Sequence, residues 1–177
     1  MTHFFTVVLV PQDSTDVQAA VSALLAPYNE NMDVEPYKKY KTQEDVDRMA
    51  DHYKTHALDE LALHMEEWSN NDGGVDGLGL FELSTYNPQS QWDYWSMIEF
   101  EINDDGKLRN AFPVSEVQGD FQCFAVVTPN GTWHQRAEAG WWGMTTNEKD
   151  RYAWQQEIKA LFQANQNCLL VGVDCHI

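Results

Sequence analysis

Phe4-Phe5-Thr6-Val7-Val8-Leu9-Val10 is a nearly continuous run of aromatic and β-branched residues, closed by Pro11. It predicts a buried strand. Cys168 to Val173 reads the same way, as the final strand. Working inward, Asp13-Ser14-Thr15-Asp16 supplies N-cap candidates for a helix carrying Val17, Ala20, Val21, Leu24 and Leu25, ended by Pro27. Thr42 with Asp45 approximates a capping box. The stripe Val46, Met49, Ala50, Tyr53, Ala57, Leu61, Met65 and Trp68 predicts the longest helix of the chain, with a break near Thr55.

Tyr28 to Tyr40 reads as irregular, and it leads into the one basic cluster, Lys38, Lys39 and Lys41. Asn70 to Gly79 reads as a loop and Leu80 to Ser84 as a short strand. Tyr94 to Ile102 and Phe121 to Val127 are further strand segments. Asn130-Gly131 predicts a type I′ hairpin turn with Trp133 to Arg136 as the return strand. Thr146 or Asn147 is the expected cap of a helix with Trp154, Ile158, Leu161 and Phe162 on one face. This order predicts a single α+β domain over residues 1–177: a largely antiparallel, mixed sheet with helices packed mainly on one face. No repeat, low-complexity tail or separating linker is visible.

The chain has 177 residues, 43% of them hydrophobic and 22% charged, which is a globular rather than a disordered composition. Its net charge of −17 disfavours nucleic-acid backbones and anionic membranes as direct partners. The charge is uneven: residues 61–120 carry 12 acids against 2 bases, residues 121–177 only 5 against 4. A phosphate-rich ligand is therefore least disfavoured in the C-terminal third. Cys123, Cys168 and Cys175 form no CxxC pair and sit in apolar runs, so reduced, buried thiols are expected. The start of the chain has neither a basic n-region nor a run long enough to span a bilayer, which leads to the expectation of a cytoplasmic protein.

Three aromatic-polar clusters are the candidates for a site. They are Tyr86-Asn87-Pro88 running into Trp92-Asp93-Tyr94-Trp95, then Gly140-Trp141-Trp142-Gly143, and the terminal Asp174-Cys175-His176-Ile177. Trp beside Asp, Asn and Tyr suits a pocket wall or contact surface, and equally a core with polar neighbours. In Gly140–Gly143 one indole packs inward while the other lines a cleft, or the loop is simply pinned to the core. Asp174 and His176 share one strand face by the two-residue period, with His134 or Asp93 as neighbours that complete an acid–base or ligand pair. They are expected on an interior or near-edge strand, beside Gly140–Gly143.

His52, His56, Glu60 and His64 recur every four residues, but each step drifts by roughly 40° around a helix, so the four do not converge. A solvated helix face is the better account than a metal site. No metal or other cofactor is implied. Asp72-Gly73-Gly74-Val75-Asp76-Gly77 lacks the EF-hand ligand series, and serine-nucleophile, P-loop and Rossmann signatures are absent.

Taken together, Phe4–Val10, Tyr28-Asn29-Glu30-Asn31, Ser84-Thr85-Tyr86-Asn87-Pro88-Gln89-Ser90-Gln91-Trp92-Asp93-Tyr94, Gly140-Trp141-Trp142-Gly143-Met144 and the terminal Asp174-Cys175-His176-Ile177 resemble a family of uncharacterised phage and bacterial proteins. Members usually carry a Gly-Gly-Arg-Trp segment after the Trp-Asp element, where this chain has Ser96-Met97-Ile98-Glu99-Phe100. The resemblance implies a phage or mobile-element accessory protein and supplies no reaction. Two functions remain open. One is a protein that binds a host protein, in counter-defence, through an acidic and aromatic surface. The other is a small-molecule, nucleotide-like binder or hydrolase whose pocket is formed by Tyr86, Asn87, Trp92, Asp93, Trp141, Trp142, Asp174 and His176.

Overall fold

The computed structural model describes residues 3–102, 106–139 and 145–177. Gly140, Trp141, Trp142 and Gly143 lie outside the described residues. In chain order the elements are β1 (His3–Pro11), α1 (Val17–Leu25), β2 (Tyr37–Tyr40), α2 (Gln43–Tyr53), α3 (Leu58–Leu63), α4 (Met65–Ser69), β3 (Gly73–Asp76), β4 (Gly79–Ser84) and β5 (Tyr94–Met97). They continue with β6 (Ala111–Pro113), β7 (Ala125–Val127), β8 (Trp133–Gln135), β9 (Glu138–Ala139), β10 (Thr145–Thr146), α5 (Arg151–Ala164) and β11 (Cys168–His176). The class is α+β, with a mixed six-stranded sheet and a smaller antiparallel one. The chain forms two compact units. One joins Met1–Asn31 to Pro88–Ile177; the other is Met32–Asn87.

The two apolar runs at the chain ends pair with each other. β1 and β11 run antiparallel through nine residue pairs, from His3 opposite His176 to Pro11 opposite Cys168. β7 lies parallel to β1 on its other side, and β8 closes that edge antiparallel to β7. β5 and β6 both pair with β11, near its end and its start respectively. Val7, Val8, Leu9 and Val10 are all fully buried, so both faces of β1 need cover. Val8 and Val10 pack with Val21 and Leu25 of α1. Val7 and Leu9 pack with Trp154, Ile158 and Phe162 of α5. Helices therefore cover both faces of the large sheet, where the sequence suggested mainly one. Each such aliphatic side chain contributes about 1.5–3 kcal/mol on burial.

In the Met32–Asn87 unit the helices do lie on one face. Met49 and Ala50 of α2, Leu61 of α3 and Met65 of α4 form one core with Leu80 of β4. The strand order is β2-β4-β3, all antiparallel. The predicted capping box is present: the Thr42 hydroxyl accepts from the Asp45 N–H while Asp45 reaches back to the Thr42 N–H. The break expected near Thr55 is present between α2 and α3, and a second interruption at His64 makes the predicted long helix three short ones. Lys54 stops α2 with φ +58, and α5, with 14 residues, is the longest helix among the described residues.

Three further expectations change. The glycine-rich stretch after Asn70 is not all loop, because β3 forms a hairpin with β4. Glycine is required at position 73: a Cβ there would lie 2.2 Å from the Met65 Cγ and 2.5 Å from the Phe81 carbonyl oxygen. The turn after β7 is not type I′, which needs two successive positive φ angles; Gly131 has φ +82 and Asn130 is not positive. The Gly131 N–H donates to the Thr128 carbonyl, and Thr128 pairs with Thr132, giving a three-residue loop whose Pro129 presets its opening. Finally, α5 is capped by Asp150, whose carboxylate accepts from the Tyr152 and Ala153 N–H groups, rather than by Thr146 or Asn147.

The Lys cluster is consumed by ion pairs within its unit. Lys38 Nζ is 2.6 Å from Asp76 Oδ2, and Lys41 Nζ is 2.5 Å from Glu82 Oε2. The Lys38 hydrogen bond, aided by the Leu78 N–H, holds the Asp76 carboxyl down at about 2. Burial alone would raise Glu82, but the Lys41 and Ser69 hydrogen bonds and the Lys41 and Lys39 charges hold it below the ordinary carboxylate value.

All three cysteines are free and buried, as the sequence suggested. Burial pushes the Cys175 thiol up to about 12 and raises Cys123 and Cys168 as well. Native protein is therefore expected to resist Ellman's reagent at mildly alkaline pH, while denatured protein yields all 3 thiols. A fast-reacting thiol in the native state would contradict this burial.

Candidate functional site

The register of β1 with β11 builds the first candidate site. Asp174 and His176 project from β11, an interior strand, on the face that also carries Phe5 and His3 of β1. His3 stands opposite His176, and their ring centroids are 4.9 Å apart in an edge-to-face arrangement. His3 Nδ1 lies 2.8 Å from Asp174 Oδ2. His176 Nδ1 lies 2.6 Å from Asp93 Oδ1. Asp93 is fixed in turn by its own N–H, which donates to the His176 carbonyl at 2.9 Å, extending the pairing of β5 with β11.

Two carboxylate–imidazole pairs therefore stand side by side at one end of the sheet. A carboxylate on Nδ1 selects the tautomer with the proton there, leaving Nε2 as the basic nitrogen. Such pairs orient a general base or a polar ligand contact. The His176 side chain is 15% exposed and that of His3 62%. The inner imidazole is thus held and the outer one is open to solvent.

Of the two neighbours proposed for Asp174 and His176, Asp93 is in place. His134 is on β8, at the opposite edge of the sheet, 3.3 Å from Glu157. Trp92 is core: it is 6% exposed, packs with the α1 side of the sheet, and donates its indole N–H to the Leu25 carbonyl at 3.1 Å. Tyr86 is exposed and Asn87 is buried, both in the Met32–Asn87 unit. Trp141 and Trp142 fall outside the described residues. His3 is the residue that sequence reasoning missed. Its signal was the paired apolar runs: once Phe4–Val10 lies antiparallel to the final strand, position 3 faces position 176.

The segment Ser96–Phe100 has a packing role. Ser96 pairs with Asp174 across β5 and β11, and Phe100 lies against Gly172, where a Cβ would come within 2.5 Å of its ring. Four surface clefts among the described residues are lined by other groups. One of about 490 Å³ is bounded by Phe5, Phe100 and Phe121. The paired imidazoles line none of these four.

The second candidate is a surface. Glu44, Asp47 and Asp51 recur at i, i+3 and i+7 on α2, opposite its core positions Met49 and Ala50. Asp59 and Glu60 on α3 and Glu66 and Glu67 on α4 are likewise exposed. Leu63, 84% exposed, stands between α3's acids and α4's. Arg48 and Lys54 are the basic residues of these helices and their link, each beside an acid of α2: Asp45 and Asp51. The Asp45 carboxyl sits below its ordinary value, first through the Thr42 hydroxyl and then through Arg48.

The histidines of this layer do not converge. α2 ends at Tyr53 and α3 begins at Leu58, so His52, His56 and His64 do not share a helix. His64 stacks flat on Tyr53 at 4.0 Å. Among the described residues no group of three or more His, Cys, Asp or Glu side chains is arranged to hold a metal ion, and no helix is long and apolar enough to cross a membrane. No family model, curated protein or solved structure matches the chain.

Proposed function

We propose that the protein is a phage or mobile-element accessory protein that binds a basic host protein, in counter-defence, within the host cytoplasm. The observation that carries this reading is the acidic outer face of α2, α3 and α4. Its carboxylates point away from one small core, and its local cations sit beside acids of α2. A rigid array of carboxylates competes with phosphates for a basic channel on a partner, and like charge keeps the protein itself off nucleic acid. Exposed Leu63 supplies an apolar anchor within the array. The test is a surface variant, Glu44→Gln/Asp47→Asn/Asp51→Asn/Glu60→Gln. It is expected to fold like the wild type and to bind a purified host partner at least about tenfold more weakly.

A second reading has its own observation. The 2.6 Å Asp93–His176 pair beside His3 and Asp174 suits a small-molecule binder or hydrolase. On that reading His176→Ala abolishes ligand binding or turnover and moves the melting temperature by only a few degrees, because the ring packs at a strand end. Full function in His176→Ala removes this reading and leaves the acidic face.

A further inference from the structure

Arg136 and Gln155 share an arrangement that neither candidate above uses. Both line a cleft of about 280 Å³ together with Arg151, Glu148, Gln122 and Trp154. Gln155, on the second turn of α5, is 8% exposed. Its Nε2 donates to the Phe121 carbonyl at 2.8 Å, which fixes the amide: the reverse orientation would set two oxygens against each other. Its Oε1 is left buried and unpartnered among the described residues. The same holds for the Nε–H of Arg136, whose Nη2 is engaged by Glu148 at 2.9 Å. A buried donor and a buried acceptor, both unmatched among the described residues, thus belong to two residues that line one cleft. Among its lining residues two guanidiniums stand against one carboxylate in a chain of net charge −17, and Asp120 lies within electrostatic reach of Arg151.

The cleft is held by its own scaffold. The Lys149 N–H donates to the Arg136 carbonyl at 2.8 Å, and the Arg136 N–H to the Phe124 carbonyl at 2.9 Å. The indole N–H of Trp154 donates to the Cys123 carbonyl at 2.8 Å. The Arg136 backbone and the Trp154 indole are therefore in place before any ligand arrives.

We infer that this cleft binds a small oxyanion, carboxylate or phosphate, that also carries a hydrogen-bond donor. The oxyanion takes the Arg136 Nε–H and the Arg151 guanidinium, whose planar forks match such groups. The donor, an adjacent hydroxyl or the P–OH of hydrogen phosphate, satisfies Gln155 Oε1. The requirement for both functions separates this site from a merely electropositive spot, which would take any anion.

The experiment compares two matched pairs of probes by NMR titration of the full chain at constant ionic strength. Inorganic phosphate is set against sulfate, and lactate against propionate; the second member of each pair lacks the donor. The Arg136 Nε–H and Gln155 side-chain resonances are followed. The expected result is saturable binding of phosphate or lactate, about tenfold tighter than its donor-free partner. Whichever of the two saturates identifies the oxyanion. Arg151→Gln, an exposed change that leaves the fold intact, is expected to weaken that binding about tenfold. Gln155→Leu is expected to erase the discrimination within the pair. No saturation with any probe overturns the inference. So does equal affinity for donor-bearing and donor-free members in the wild type, or binding indifferent to Arg151→Gln, and each of these is readable even if Gln155→Leu fails to fold.

Discussion

Lys41→Met is expected to destabilise the protein by about 3–5 kcal/mol at neutral pH, the range for breaking a buried ion pair from one side. Glu82 is 6% exposed on β4, and the Lys41 side chain beside it is 11% exposed. Methionine keeps most of the lysine's length and removes its charge. The Glu82 carboxylate is then left with the neutral Ser69 hydroxyl and with Lys39, whose ammonium is 3.7 Å away on a side chain 59% exposed to screening water. In the wild type the Glu82 pKa is lowered from 4.5, so the pair's contribution is present above that value and is lost as pH falls through the folded-state pKa. In Lys41→Met burial, the largest influence on Glu82, is opposed only by the Ser69 hydrogen bond and the screened Lys39 charge, so the shift is expected to turn upward and the penalty to fade as the carboxyl protonates. Urea melts are therefore expected to differ most near neutral pH and to converge below about pH 4.5. The double variant Lys41→Met/Glu82→Leu is expected to recover most of the loss. A single variant within about 0.5 kcal/mol of wild type would show that the pair is solvated.

Trp154→Ala is expected to cost a similar amount, about 3–5 kcal/mol, in the unit built on the six-stranded sheet. Trp154 is 2% exposed and packs with Ile158 and Phe162 against Val7 and Leu9. Its removal opens a cavity between α5 and the sheet and strips the Cys123 carbonyl of the indole donor. Trp154→Phe keeps much of the volume but not the donor, and is expected to lose about 1–3 kcal/mol. Chemical denaturation followed by far-ultraviolet circular dichroism checks both. Equal losses for Phe and Ala would mean that the hydrogen bond alone matters, and no loss would mean that α5 does not carry this face of the core.

The parts of this fold that local chemistry specifies were legible. The runs Phe4–Val10 and Cys168–Val173 announced buried strands. Asp16, Thr42 and Asp45 announced their helix starts, and Trp154, Ile158 and Phe162 the buried face of α5. What stayed hidden depends on partners distant in sequence. β3 hides in a glycine-rich stretch because its glycine is needed for Met65 and Phe81 to approach, which no local pattern encodes. The break near Thr55 was legible, but its device, Lys54 in a left-handed conformation, was not, since a glycine would have marked it. Placing helices on both faces of the large sheet required knowing which residues of β1 meet which helix. At the candidate site, Asp174 and His176 were legible from strand parity, and Asp93 as one of two alternative neighbours beside His134. His3 was not, because its role exists only in the β1–β11 register. Trp92 had the composition of a pocket wall and serves as core, since its one donor is satisfied by the end of α1.

The central claim is that the acidic face of α2–α4 is the binding surface. The most direct measurement is a titration of wild type and of Glu44→Gln/Asp47→Asn/Asp51→Asn/Glu60→Gln against one purified host partner, at low and raised salt. The partner is first identified by capture with the wild type. The account predicts a basic partner, binding that weakens steeply with salt for the wild type, and an affinity at least about tenfold lower with a flatter salt dependence for the variant. Equal affinity and equal salt dependence for the two proteins would contradict it.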